Sequence, residues 1–351
     1  MKTTKDGFEE GLEELARNKE IIVLSTELKK FADKHPNKFI KTADIGIASG
    51  LAHEGKTPFV TTAGLGKNWQ QIKEISANNE NIKIIDFDEE FEDLAIARVL
   101  QNIKVIIPAD YYEAKKATIA AGTTKGPFYL KLLIEKAHST TEKTGFTIGR
   151  MEIIKAGKDC TIIATGPTLQ NALMAAEKLA KQEIECTVLD CHTIQPIDKH
   201  ALIATARLTG CIVATERTLG SAIAETMSQN YPVPVRFTTA DNIITEVKNA
   251  VMQKCEVFAE IPEEHSQKIQ LEIRPELQFR LHNGGLIKSI PGLHKALLTM
   301  NEETFTHHCN TNKNDFSTWI KEAFKEQSLA KNLEKTHTKI GMMLELTRWM
   351  K

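Results

Sequence analysis

Between residues 6 and 251 of this 351-residue chain, apolar runs of strand length alternate with stretches of helical periodicity. A strand that is apolar on both faces has none to offer water, so helices must cover it above and below. The arrangement that does this is a mainly parallel sheet with crossover helices. Strands are expected at 21–25, 58–62, 82–86, 105–108 and 128–132, and helices at 6–16, 44–53, 68–78, 89–100 and 111–121. Gly126-Pro127 punctuates the last crossover, and a stretch rich in Lys, Thr and Ser at 135–149 reads as a linker. The alternation then resumes, with strands expected at 161–164, 186–190, 212–215 and 233–237 and helices at 168–181, 199–208 and 221–229.

The character changes after Val251. Residues 258–275 are polar, and 277–290 hold two short apolar runs around Asn283-Gly284-Gly285, a hairpin signature. Amphipathic helices follow at 293–300, 316–324 and 340–349, with Asn301, Asn314 and Ser328 as candidate starts. The fold class is therefore α/β: two consecutive doubly wound, mainly parallel-sheet units at 1–135 and 148–258, then a small α+β module at 276–351. The polar stretch before the module predicts that it folds by itself, with a boundary near residue 264.

Lys and Arg number 45 against 46 Asp and Glu, a net charge of -1, which supplies no electrostatic reason to expect nucleic acid or an anionic membrane as partner. The first residues carry no apolar segment of signal-peptide type, and no run approaches the ~20 apolar residues that span a bilayer, so the expected location is the cytoplasm. The six cysteines include no CxxC pair, and Cys160, Cys186, Cys191 and Cys211 fall in or beside apolar strands. Buried free thiols are expected rather than zinc ligands or disulfides.

Five segments in order carry a family resemblance: ASGLAHEGKTPFV at 48–60, EDLAIARVLQNIKVIIPAD at 92–110, GPFYLKL at 126–132, IGRMEIIKAGKDCTIIATG at 148–166 and HTIQPID at 192–198. Together they resemble the C-terminal half of transketolase, a pyrimidine-binding domain followed by the transketolase C-terminal domain. The tail resembles an uncharacterised module found at the ends of archaeal proteins.

The resemblance implies a thiamine diphosphate site shared between two domains. One grips the diphosphate and Mg²⁺ through GDG and a following Asn; the other holds the aminopyrimidine and supplies a Glu. This chain matches the second and contains no GDG. The isolated chain is thus expected to bind neither thiamine diphosphate nor Mg²⁺, unless a GDG-bearing partner completes the site.

The Glu is missing as well. Where the family has a GIAEQN-like stretch, Phe39-Ile40-Lys41-Thr42 runs directly into Ala43-Asp44-Ile45-Gly46. Asp44 is the one nearby acid, with a shorter side chain on the helix side of the gap, where misplacement by ~1 Å is already costly. Its other reading is a helix N-cap. Four further junctions are short: 22–31 lacks a GGSTRT-like loop, 84–88 a loop containing GxTHQ, 214–219 replaces EEHSIYGG, and 237–241 replaces a loop with FGxSG. Each gap follows a strand and precedes a helix, the position where open α/β sheets bind ligands.

Thr62, Gly64, Gly66 and Lys67 form a strand-to-helix turn that is a candidate anion seat or simply a tight turn. Residues 164–168 match a structural turn of the family. His282, His294, His307, His308 and Cys309 raise a metal site, but adjacent side chains diverge and no zinc spacing is present, so no metal is expected. Phe305, Phe316, Trp319 and Phe324 read as the module's core.

Two functions follow. The first is a catalytically degenerate transketolase-like half, not active alone, serving as a binding, regulatory or assembly subunit and expected to be a homodimer. The alternative is an active thiamine-diphosphate-dependent subunit that transfers ketol groups between sugar phosphates once a transketolase N-terminal-half subunit joins it. A 2-oxoacid dehydrogenase β-type subunit is a more distant third.

Overall fold

The computed structural model describes residues 2–62, 64–88, 91–134, 138–259 and 273–350. In the first unit the strands are β1 (Ile21–Leu24), β2 (Phe39–Ile40), β3 (Thr57–Thr62), β4 (Lys83–Asp86), β5 (Lys104–Ile106) and β6 (Phe128–Lys131). Its helices are α1 (Thr4–Asn18), α2 (Lys29–Lys34), α3 (Ile45–His53), α4 (Trp69–Ala77), α5 (Glu92–Val99) and α6 (Tyr111–Thr123). The second stretch contributes β7 (Glu152–Lys155), β8 (Cys160–Ala164), β9 (Cys186–Asp190), β10 (Thr193–Gln195), β11 (Ile212–Ala214) and β12 (Val235–Phe237), with α7 (Thr168–Ala180), α8 (Lys199–Thr209), α9 (Arg217–Asn230) and α10 (Ile243–Ala259).

The first sheet runs β10-β5-β6-β4-β3-β1-β2 and the second β12-β11-β8-β9-β7. Every neighbouring pair is parallel except β10 on β5 and β7 on β9, both at sheet edges. Every residue of β8 and β9 is buried, which is why those runs are largely apolar and do not alternate. Helices close the faces. Phe8, Leu12 and Leu15 of α1 recur at helical spacing and meet Ala114, Ala117 and Ala121 of α6 in one cluster over the first sheet.

The expected strands and helices recur with small shifts of their ends. The largest concerns α9, which starts at Arg217 rather than 221, because the Glu216 carboxylate caps it by accepting the N–H groups of Thr218 and Leu219. Residues 89–90 of the helix expected at 89–100 lie outside the described residues, and α5 itself starts at Glu92. In the expected linker, residues 135–137 lie outside the described residues, while the rest is tied down: Thr140 and Thr141 N–H groups donate to Asp110, and Lys116 Nζ donates to the Thr141 and Thr144 carbonyls. Strands β2, β7 and β10 and helices α2 and α10 were not apparent in the pattern. All three strands are short and lie at sheet edges.

The tail holds β13 (Phe279–Arg280), β14 (Leu286–Ile287), α11 (Ile290–Thr299), α12 (Glu302–His308), β15 (Cys309–Asn310), β16 (Lys313–Asn314), α13 (Asp315–Trp319), a π-helical turn (Ile320–Phe324), α14 (Gln327–Glu334) and α15 (Lys339–Met350). The hairpin is present as β13 paired with β14, and Asn301 and Asn314 are N-caps. Ser328 is not a start: α14 begins at Gln327, so Ser328 sits in its first turn. Residues 260–272, including the expected boundary near 264, lie outside the described residues.

The tail does not enclose a separate core. Phe305, Phe316 and Leu333, with Met343 and Leu346, join Leu169, Ala176, Val247 and Val251 of α7 and α10 in one apolar cluster. Polar contacts fix it at the amino-terminal ends of the second sheet. Glu183 accepts the N–H groups of His337 at 2.8 Å and Thr338 at 3.0 Å, and Arg348 bridges to Asp159 just before β8. Among the described residues, the tail lines no part of the cleft formed by Thr215, Arg217 and Phe237. No described helix is long and apolar enough to cross a membrane.

Candidate functional site

In the first sheet the chain leaves β1 toward β2 on one side and β3 on the other, so the β1–β3 boundary is a switch point where an open α/β sheet presents ligands. The groups there are turned on one another. Thr61 Oγ1 donates to Ser25 Oγ at 3.1 Å, and Ser25 Oγ accepts the Glu27 N–H at 3.0 Å. Asp44, exposed after β2, is the N-cap of α3 and accepts the N–H groups of Gly46 at 2.7 Å and Ile47 at 3.1 Å.

After β3, the turn of Thr62, Gly64, Gly66 and Lys67 already holds an anion, and it is the protein's own. Asp93 Oδ2 accepts the Leu65 N–H at 2.7 Å and would lie 2.9 Å from any Cβ at Gly64, whose φ is +89°. Thr62 Oγ1 donates to the Gly64 carbonyl and accepts from Asn68 Nδ2, each at 3.1 Å. Lys67 points to solvent as an exposed residue.

At the end of β4 lies a cluster that pattern reading missed. Asp86 Oδ2 receives Lys131 Nζ at 2.9 Å and the Tyr129 hydroxyl, and Oδ1 receives the Asp88 N–H at 2.8 Å. Asp86 and Lys131 side chains are 0% exposed. Burial, then the Asp86 charge, pushes the Tyr129 phenol far above its ordinary range, so it stays a donor. The signal in the sequence was a lysine inside GPFYLKL: a charge in the middle of an apolar strand needs a buried counter-ion.

The second sheet has its own switch point between β8 and β11, since β9 lies on one side of β8 and β11 on the other. A cleft of about 520 Å³ opens there, lined by Thr168, Thr215, Glu216, Arg217 and Phe237, with Phe91 from the first unit. Thr168 and Thr215 hydroxyls bond to each other at 2.6 Å, and Arg236 is paired with Glu246 at 2.5 Å. Glu216 is again spent on capping, at 2.8 Å and 2.7 Å from the N–H groups of Thr218 and Leu219. Thus Asp44, Asp86 and Glu216, and Asp93 from the first turn of α5, each accept backbone N–H bonds.

The five tail residues considered as metal ligands do not converge. His282 stacks on His307 at 4.1 Å, while His308 Nε2 accepts the His282 N–H at 2.9 Å and its Nδ1 faces Asp315 at 3.1 Å, which fixes the tautomer. His294 is buried elsewhere against Thr347. Among the described residues no three His, Cys, Asp or Glu side chains form a group that could hold a metal ion. All six cysteines are buried thiols. Phe305, Phe316 and Trp319 are buried in the tail's packing, with Phe324 against them.

Residues 149–256 match the family model described as transketolase, C-terminal domain. A 6-deoxy-6-sulfo-D-fructose transketolase subunit of Clostridium sp. (strain MSTE9) is 31% identical over 253 residues, covering 64% of this chain and 79% of the relative. A putative transketolase C-terminal section of Methanocaldococcus jannaschii is 30% identical over 265 residues, 65% and 83% of the respective chains. A solved structure described as a split-gene transketolase, inactive β4 tetramer, superposes with a TM-score of 0.68 at 30% identity over 72% of this chain and 99% of that one. The chain belongs to the transketolase family, matching the part found as its separate C-terminal sections.

Proposed function

We propose that this chain is a transketolase C-terminal-half protein that has given up cofactor activation and serves as a binding, regulatory or assembly subunit. In this reading 1–135 is a pyrimidine-binding-type domain, 148–258 the transketolase C-terminal domain and 276–351 an accessory module. The observation that carries the proposal is the engagement of Asp44. Asp44, the one acid near the place of the missing Glu, holds two backbone N–H groups with Oδ1, and moving it toward a pyrimidine ring would uncap α3. Loss of a proton-transfer group costs ~10²–10⁴-fold in rate, which leaves little turnover. Calorimetric titration of the isolated chain with thiamine diphosphate and Mg²⁺ tests it: no saturable heat is expected, and micromolar binding refutes it.

Assembly is supported by an exposed face at the start of α3 and α4. Ile40, Ile47 and Trp69 are 37%, 45% and 36% exposed, and Gly46 and Gly50 lie one turn apart on α3, both exposed. Exposed apolar side chains there suit a second copy, so a homodimer is the expected form. Light scattering at ~10 μM, a concentration at which specific interfaces are occupied, checks the mass.

The relatives support a second reading. Two of them are named as subunits or sections of transketolases, which fits a chain completed by a GDG-bearing N-terminal half that brings thiamine diphosphate and Mg²⁺. Ketol transfer between sugar phosphates, measured after mixing this chain with such a half, decides between the two.

A further inference from the structure

At one seam between the two α/β units, backbone meets backbone. β10 pairs with β5, and the Ile107 N–H donates to the His192 carbonyl at 2.9 Å. Gly166, with φ +56°, lies so close that a Cβ there would stand 2.8 Å from Ile107 Cγ2. Into this seam α6 and β9 each project one acid. Glu113 is 1% exposed and Asp190 is 0% exposed, and their carboxyl groups are in hydrogen-bonding contact.

Glu113 Oε2 accepts the Ala109 N–H at 2.7 Å. Glu113 Oε1 and both oxygens of Asp190 receive no donor. An ionised carboxylate only accepts, so as two anions these groups would leave three buried oxygens unsatisfied and repel each other. One proton turns one acid into a donor and removes one of the two charges.

The other groups facing the pair do not relieve it. Asp110, at the start of α6, already accepts from Glu113 N, Thr140 N and Thr141, and adds its negative charge to both acids. Glu152 stands opposite Asp190 across the β7–β9 ladder and acts in the same sense. The Cys191 thiol is buried and held protonated, and His192, bonded to Thr193 and stacked on Phe146 at 4.2 Å, is kept neutral by burial.

We propose that Glu113 and Asp190 share a single proton and form a pH-sensitive clasp between the two α/β units. The clasp is shut while the proton is held, and two buried anions strain the seam once it is lost. Burial, followed by the neighbouring acids, pushes Glu113 well above the ordinary range; burial is also the first cause of the rise at Asp190, to about 7. Folded-state values above the unfolded ones mean that the folded chain binds more protons, so this stabilisation is complete below the ordinary values of 3.8 for Asp190 and 4.5 for Glu113 and is lost as pH rises through the raised folded ones.

The test is denaturant unfolding of the full chain as a function of pH, for the wild type and for E113Q, D190N and E113Q/D190N. One proton held only by the folded state makes the unfolding constant rise about tenfold per pH unit across that window. The double variant is expected to lose about one proton's worth of that slope, and E113Q, whose amide donates without titrating, to reduce it. Identical slopes in wild type and double variant overturn the proposal. Difference infrared spectroscopy of the wild type alone supplies a readout that survives misfolding of the variants. A protonated buried carboxyl band at pH 6 that disappears on alkalinisation supports the clasp; its absence at pH 6 overturns it.

Discussion

Replacing Asp86 by asparagine changes one charge and almost no volume, and should be among the most damaging single substitutions in the chain. The carboxylate accepts three donors, Lys131 Nζ at 2.9 Å, the Tyr129 hydroxyl and the Asp88 N–H, and neither Asp86 nor Lys131 reaches solvent. D86N leaves the Lys131 ammonium buried without a counter-ion, which costs about 3–5 kcal/mol. K131M strands the carboxylate instead, but two donors remain, so the loss should lie near about 3 kcal/mol. The double variant D86N/K131M removes both charges, and an apolar replacement of a buried pair is often close to neutral. The two single losses should therefore fail to add, with a coupling of about 3 kcal/mol or more. Against a total stability of ~5–15 kcal/mol, D86N alone would consume a large share. Urea unfolding followed by circular dichroism measures all four species. A loss below ~1 kcal/mol for D86N, or additive single effects, refutes the reasoning.

Other expectations follow from the same contacts. Ending the chain near residue 264 uncovers the faces of α7 and α10 that bury Leu169, Val247 and Val251 with the tail, so the fragment should aggregate or lose its cooperative melt; a soluble, cooperatively melting fragment refutes the shared core. D44A should cost about 1 kcal/mol through loss of the α3 cap and leave titration heats with thiamine diphosphate unchanged. Burial lowers His294 to about 4 from 6.5, so the unfolded chain takes up this proton first and its stabilising contribution is lost as pH falls from 6.5 to about 4; a His294→Gln variant should show a flatter acid limb in the same unfolding assay. A thiol reagent should label the native chain slowly, since all six cysteines are buried, and rapid labelling before unfolding would contradict the packing.

Much of the fold was legible because burial on both faces leaves a local trace. The runs that became β8 and β9 could be nothing but interior strands, and Asn283-Gly284-Gly285 marked a hairpin that formed. A capping reading of Asp44 was equally local, since an N-cap serves N–H groups two and three residues away. Partnerships across the chain left no such trace. Asp93 fills the turn of Leu65 from 28 residues away, and Asp86 meets Lys131 across 45. β10 joins the edge of the first sheet although its neighbours in sequence belong to the second. Glu113 and Asp190 meet only because two units close on one another. Hydrophobic pattern encodes which residues leave water, and that is a property each segment carries by itself. Which acid finds which donor depends on where the assembled sheets and helices bring distant side chains, and only the packed chain specifies that.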